Sequence, residues 1–261
     1  MALSQRIIEE IAQKLVEAER KREPLEPISE KYGDLSYEDA YGIQKKTAEL
    51  KASSGAVIVG RKVGLTSKAM QEQSKINEPD YGAVFSSGVF REAQVISMKR
   101  IVWHRIEAEI AFLLKDDLKG PGVTVAKVLS ATEGVLPAFE ILDRRLKNYV
   151  NVKDSIADNA GQAGVVLGGK LTPLADIDLR LVGMVLEKNG AILETAAGAA
   201  SLGNPAEAVA WLANKLHEHG MTLRQGEFII SGSLTKAIDI EPGSFFRATF
   251  DRLGSVSALF E

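Results

Sequence analysis

The chain of 261 residues contains no cysteine. Disulfides, thiolate zinc sites and cysteine nucleophiles are therefore excluded together, and the composition is compatible with a reducing compartment. Histidine is scarce, at three residues, and no Ser-His-Asp constellation is apparent. No apolar run approaches the length that crosses a bilayer, and charges recur through the first predicted helix, which lacks the uninterrupted apolar stretch of a signal peptide. Gly161-x-x-Gly164 and Gly168-Gly169 lack the spacing of a phosphate loop. Excess charge is missing too: 35 acidic and 32 basic residues leave a net −3, scattered without a basic block or an acidic tail. What is present, 45% apolar and 26% charged residues, is ordinary for a globular protein with room for a large core. The expectation is a soluble, cytoplasmic protein with neither a nucleic-acid nor a membrane partner.

Leu3, Ile7, Ile11, Leu15 and Ala18 recur at helical spacing and predict an amphipathic helix that ends before Pro24. Ser36-Tyr37-Glu38-Asp39 reads as a capping sequence opening a second helix to about Ala52, with Ala40, Ile43, Thr47 and Leu50 as its inner stripe. From Val57 the period changes. Strands are predicted at 57–59, 106–114, 135–142, 164–168, 180–187, 228–231, 244–250 and 255–260, with a hairpin tip at Lys188-Asn189-Gly190-Ala191. Between them Asn204, Pro205 and Gly220 bracket a helix whose apolar face includes Val209, Leu212, Ala213 and Leu216. Helices first, then mostly strands, predicts an α+β fold and not a doubly wound one. The expected division is a helical segment, residues 1–55, packed on a β-rich catalytic domain, residues 56–261.

Glu107 and Glu109 stand one residue apart in Ile106-Glu107-Ala108-Glu109-Ile110-Ala111-Phe112-Leu113-Leu114, so a strand points both carboxylates to one face. Glu140 sits in a second apolar run, Val135 to Leu142. Carboxylates borne by apolar segments repel one another and resist desolvation unless a cation joins them. An all-oxygen donor set favours Mg²⁺, Mn²⁺ or Ca²⁺ over zinc or copper. A lone Glu-x-Glu on a half-exposed strand is usually solvated, and His104 and Arg105 could pair with it at the surface. Lys62, between apolar neighbours at a glycine-bent strand end, is expected to be partly desolvated, with a lowered pKa suited to proton transfer. Glu78-Pro79-Asp80-Tyr81-Gly82 reads by itself as a turn.

Together these segments resemble the 2-hydroxypenta-2,4-dienoate hydratases and 4-oxalocrotonate decarboxylases, a family within the fumarylacetoacetate hydrolase superfamily. The resemblance is carried by Gly60-Arg61-Lys62-Val63-Gly64-Leu65-Thr66, Glu78-Pro79-Asp80-Tyr81-Gly82, Ile106-Glu107-Ala108-Glu109-Ile110 and Leu136-Pro137-Ala138-Phe139-Glu140. Ala157-Asp158-Asn159-Ala160, Gly198 to Gly203 and Leu253-Gly254-Ser255-Val256-Ser257 extend it in order to the C-terminus. It implies a mixed β-sheet roll or sandwich with a helical N-terminal part, assembled as a homo-oligomer. It implies Mg²⁺ or Mn²⁺ on Glu107, Glu109 and Glu140, with Lys62 and Asp80 catalytic; Leu65, Ser67, Ser233 and Thr235 are the candidate substrate contacts. The implied substrate is a 2-hydroxydienoate or 2-oxo acid of aromatic-compound degradation, and a complex with a sister enzyme of that pathway is a further implication. Asp80 in its turn looks like the hydratase branch. The alternatives are 4-oxalocrotonate decarboxylation and hydration of a longer dicarboxylate such as 2-oxohept-3-enedioate. Asn204 departs from the family, where many members have histidine, and its role as a helix cap explains the change.

Other residues carry open readings. Ser231-Gly232-Ser233-Leu234-Thr235, at a strand end, could bind the substrate carboxylate or form an ordinary turn. Asp158-Asn159 could support the metal ligands or form an Asx turn. Arg61, Arg105, Arg144 and Arg145 are candidates for the far end of a dicarboxylate. His217 and His219 are expected to be structural, with charge favoured at their helix C-terminus.

Overall fold

The computed structural model describes residues 2–100 and 102–261. Three helices come first, α1 (Gln5–Lys21), the single turn α2 (Ile28–Lys31) and α3 (Tyr37–Ser53). Next come β1 (Ile58–Gly64), α4 (Lys68–Ser74), β2 (Asp80–Phe85), β3 (Val89–Arg91), β4 (Val95–Ile96) and β5 (Arg105–Leu114). The middle of the chain forms α5 (Val125–Ala131), β6 (Thr132–Leu142), α6 (Val152–Ala157) and β7 (Gln162–Leu167). The remainder is β8 (Gly183–Lys188), β9 (Ala191–Ala197), α7 (Pro205–Glu218), β10 (Phe228–Ile230), β11 (Ile238–Asp239), β12 (Phe245–Phe250) and β13 (Gly254–Phe260).

The helix signals read from the sequence act as expected. Ser4 caps α1 by accepting the Ile7 N–H, and Ile8, Ile11, Ala12, Leu15 and Ala18 form its buried face. Ser36 and Asp39 close a reciprocal capping box at α3. The buried Gln44 of α3 donates to the carbonyls of Tyr81 and Ile156, tying the helix to β2 and α6. Asn204 caps α7 by accepting from the Ala206 N–H, and Pro205 begins the helix.

Eight strands make one mixed sheet in the order β2-β1-β10-β5-β6-β7-β3, with β11 pairing β5, and five make a second in the order β4-β13-β12-β8-β9. The first sheet is rolled. Its edge strand β2 comes back to the turn before β7, where the Asn159 side chain accepts from the Ala83 N–H and donates to the Ala83 carbonyl, at 2.8 and 2.9 Å. The inside of the roll is a small apolar cluster of Val84, Ala111, Ala138, Val165, Phe228 and Ile230. Alternation sends the other face of β5 and β6 outward, where Ile106, Ile110, Phe112, Phe139 and Ile141 join the main core with Phe246, Phe250 and Phe260 of the second sheet. Each of these large side chains contributes roughly 1.5–3 kcal/mol when fully buried. That anchoring holds in place two strands whose inner faces carry charge.

Three sequence readings are corrected. Asp80 does not centre a turn but opens the strand β2, and all six residues of that strand are buried. Lys62 lies within β1, paired with Gly82, not at its exit. The strand expected at 180–187 starts only at Gly183. Helices α4, α5 and α6 had no reading in the sequence.

Candidate metal centre and active site

The antiparallel register of β5 on β6 sets Glu107 opposite Glu140 and Glu109 opposite Ala138. Because side chains alternate, all three carboxylates point to the inside of the roll, above the apolar cluster. One oxygen from each lies within 4.8 Å of the others, and all three residues are buried. Lys62 reaches the same space from β1, its Nζ 3.9 Å from Glu140 Oε2 and 3.8 Å from Asp80 Oδ1. A Cβ on Gly64 would stand 2.2 Å from Asp80 Oδ1 and 2.7 Å from Lys62 Nζ, so the strand end leaves the pair no room for a side chain.

One ammonium faces four carboxylates, and the acids respond. Burial raises Glu107 to about 7 and Glu140 to about 8; Lys62 pulls both down, and neighbouring acids push both further up. Glu109 is driven well above the carboxylate range by burial and by Glu140 and Glu107. Asp80 is raised by burial, with Lys62 opposing. The lysine corrects the sequence reading: burial pulls its pKa down, but Glu140, Asp80, Glu107 and Glu109 outweigh this and raise it, so it holds its proton.

The cluster fits a hard dication. Glu109 Oε2 accepts from the Gly232 N–H at 2.7 Å, yet Glu109 Oε1, both oxygens of Glu140 and Asp80 Oδ1 are buried without a hydrogen bond. Buried oxygens left bare are costly unless an ion meets them. An all-carboxylate set without nitrogen or sulfur matches Mg²⁺, Mn²⁺ or Ca²⁺ chemistry.

The expected substrate contacts cluster at two loops beside this space. Leu65 follows Gly64 in the left-handed region, φ +55, and its carbonyl accepts from Gln71 Nε2. The Ser67 hydroxyl caps α4 by accepting the Met70 N–H. Ser233 donates to the Thr235 carbonyl at 2.7 Å, and Thr235 donates to the carbonyl of Lys236 at 3.3 Å. In this second loop it is the backbone of Gly232, not a hydroxyl, that touches a glutamate. The sequence reading offers the side-chain and backbone groups of this loop to a substrate carboxylate, whereas the structure gives the Gly232 N–H to Glu109.

Other expectations move elsewhere. His104 lies 2.9 Å from the Met98 carbonyl, and Arg105 pairs with Asp239 at 2.7 Å, so neither forms a surface ion pair with the glutamates. Of the four arginines, Arg105 alone shares the inner face of β5, and its charge helps to hold Glu107 down. Arg144 stacks over Trp103. Arg61 lies on the opposite face of β1 from Lys62. Arg145 forms a buried pair with Asp158 at 2.5 Å, which Tyr149 also reaches. Asp158 and Asn159 therefore do not support the glutamates; they brace the seam of the roll. His219 packs against Tyr41 and Tyr81, and burial with Lys215 lowers its pKa, contrary to the expected charge at the helix end. Among the described residues no helix is long and apolar enough to cross a membrane.

A rolled mixed sheet with acids and one lysine on its inner face defines the fumarylacetoacetate hydrolase type of fold. A fumarylpyruvate hydrolase from Pseudomonas aeruginosa shares that fold at 15% identity, with a TM-score of 0.61 over 77% of this chain and 88% of the other. No family model matches the chain. A 2-oxo-hept-4-ene-1,7-dioate hydratase from Escherichia coli is 41% identical over 257 residues, 96% of each chain. A 2-keto-4-pentenoate hydratase from Paraburkholderia xenovorans is 40% identical over 255 residues, 97% of this chain and 94% of the other. A solved 4-oxalocrotonate decarboxylase from Pseudomonas putida G7, complexed with magnesium and adipate, is 34% identical with a TM-score of 0.96, covering 100% of this chain and 99% of that one. The same decarboxylase has been solved with calcium and acetate. The chain belongs to the family of 2-keto-4-pentenoate hydratases and 4-oxalocrotonate decarboxylases, and is an enzyme of the lyase class.

Proposed function

We propose that the protein hydrates 2-hydroxypenta-2,4-dienoate to 4-hydroxy-2-oxopentanoate. Glu107, Glu109 and Glu140 would hold Mg²⁺ or Mn²⁺, and the ion when bound supplies electrophilic stabilisation of charge on the substrate's carboxylate and C2 oxygen. The observation that carries the hydratase reading is the buried contact of Asp80 with Lys62, 3.8 Å apart beside the glutamates. Loss of CO₂ needs no second proton carrier, whereas hydration moves protons at two carbons. C5 gains a proton as the C2 hydroxyl loses one; water then adds at C4 while C3 gains a proton. Asp80, raised by burial, can hold and release a proton within this dry space. Lys62 keeps its proton and faces the anionic reactant as a fixed positive charge.

A decarboxylase is the second reading, favoured by the close structural match to the Pseudomonas putida enzyme. A dicarboxylate hydratase is the third, favoured by the Escherichia coli relative and by Arg105 on the inner face of β5. In the leading reading residues 1–55 buttress the roll and residues 56–261 carry the chemistry. The setting is the meta-cleavage degradation of aromatic compounds, in a cytoplasmic homo-oligomer that a sister enzyme of the pathway could join. An ultraviolet assay with Mg²⁺ tests the choice, offering 2-hydroxypenta-2,4-dienoate, 2-oxohex-3-enedioate and 2-oxohept-3-enedioate separately. Preferred turnover of the pentadienoate without CO₂ release is the expected result; CO₂ release from the hexenedioate as the fastest reaction overturns it.

A further inference from the structure

Four hydroxyl-bearing side chains are buried where the loops 64–67, 198–203 and 231–235 meet. Three of them are spent. Ser201 donates to the Ser231 carbonyl at 2.6 Å, Ser231 to the Ile110 carbonyl at 2.9 Å, and Ser233 to the Thr235 carbonyl at 2.7 Å. Thr66, 1% exposed, differs: its Oγ1 has no hydrogen-bond partner in the protein. Its place is fixed by the backbone, because the Thr66 carbonyl accepts from the Leu202 N–H at 2.8 Å. A buried hydroxyl without a partner costs free energy, and its neighbours show that this region otherwise satisfies such groups.

The position of that hydroxyl gives it meaning. Gly232 stands at φ +95, and a Cβ added there would lie 2.2 Å from Thr66 Oγ1. The hydroxyl thus rests against the same glycine whose N–H grips Glu109 at 2.7 Å. It is a neutral donor beside a cluster rich in acids, where the ammonium of Lys62 is shared between Asp80 and Glu140. An anionic substrate entering this space needs donors that carry no negative charge.

We propose that Thr66 is a substrate-binding residue whose hydroxyl donates a hydrogen bond to the carboxylate of the 2-oxo acid. The identity of that acid rests on the function proposed above. A hydrogen bond to a charged oxygen is among the stronger ones, and it would repay the cost of the bare hydroxyl only when ligand is present. The free protein carries the penalty and the complex removes it.

The test uses 2-oxopentanoate, which has no C=C bond to hydrate, so that binding is read without turnover. Calorimetric titrations with Mg²⁺ present compare the wild type with Thr66→Val, which removes the hydroxyl at nearly constant shape, and Thr66→Ser, which keeps it. Thr66→Val is expected to bind the acid about 10- to 100-fold more weakly. Thr66→Ser should retain most of the affinity. Mg²⁺ affinity should be unchanged in both, and the ligand-free melting temperature of Thr66→Val should equal or exceed that of the wild type. Unchanged affinity of Thr66→Val for the acid overturns the proposal. So does an equal loss of Mg²⁺ affinity, which would make the hydroxyl a support for Glu109, or a lowered melting temperature, which would make it structural. A wild type that binds 2-oxopentanoate through Thr66 but hydrates no dienoate sinks the proposed function and leaves this site standing.

Discussion

Glu107 of β5 and Glu140 of β6 are direct partners across an antiparallel ladder, two buried acids facing the same enclosed space. A cross-strand pair of like charges destabilises a sheet unless something of opposite sign intervenes. Among the described residues the cation that meets this pair is Lys62, 3.9 Å from Glu140 and shared with Asp80. The protein is thus built around an electrostatic deficit that a dication would fill, and its behaviour with and without the ion should differ in sign.

Replacing Glu109 with glutamine removes one buried charge at constant shape. Mg²⁺ binding and turnover should both fall by at least about a hundredfold, in line with the loss of one charged group from a catalytic electrostatic cluster. The metal-free variant should nevertheless melt above the metal-free wild type at pH 8, because folding no longer has to protonate or desolvate a repelled acid at this position. Melting curves with and without Mg²⁺ check both halves; a metal-free variant less stable than the wild type contradicts the deficit.

The same acids set a pH dependence. Glu107 and Glu140 have folded pKa values of about 7 and about 8, above the ordinary 4.5 of an unfolded chain. Between these limits the folded state binds more protons than the unfolded one, so metal-free stability should decline as pH rises from about 5 to 8. Metal binding requires the ionised forms, so added Mg²⁺ should stabilise more at pH 8 than at pH 5.5. Thermal unfolding at the two pH values, with chelator and with excess Mg²⁺, measures the two slopes; parallel slopes would refute the assignment.

Asp80→Asn keeps the shape of the side chain and removes its ability to exchange a proton. Water addition should slow about a hundredfold or more, while ketonisation of the dienol slows less. The two steps are separable by ultraviolet absorbance, as the dienol decays into the conjugated enone and the enone then disappears. An equal loss in both steps would take Asp80 out of its role.

Arg145 and Asp158 form a buried pair, whereas Arg105 and Asp239 are joined across a more open surface. Arg145→Leu leaves the buried Asp158 carboxylate without its cation, with only the Tyr149 hydroxyl and a backbone N–H to meet it, and should cost about 3–5 kcal/mol, enough to loosen the turn that carries Asn159. Asp239→Ala should cost less than about 1 kcal/mol. Denaturant titrations of the two variants settle the comparison, and similar losses in both would deny Arg145 its bracing part.

The Glu-x-Glu of β5 was readable because strand alternation is a local rule: two residues apart means one face, whatever the rest of the chain does. The capping residues Ser36 and Asn204 were readable for the same reason, since they act on N–H groups two or three residues away. β2 was obscured because Pro79 and Gly82 are turn-type residues; its strand conformation comes from pairing with β1 and from the Asn159 clamp on Ala83. The direction of the Lys62 shift was misjudged because desolvation is guessed from apolar neighbours in sequence, while the opposing field comes from acids on β2, β5 and β6.

Sequence by itself determined the donor chemistry: no thiol, three glutamates and a lysine on apolar segments, and hence a taste for hard cations. The tertiary structure decided which of those groups meet, how dry their meeting place is, and which hydroxyl among several is left unspent. Coulomb forces and hydrogen bonds act over a few ångströms, and only the register of β5 on β6 and the rolling of the sheet bring distant residues that close.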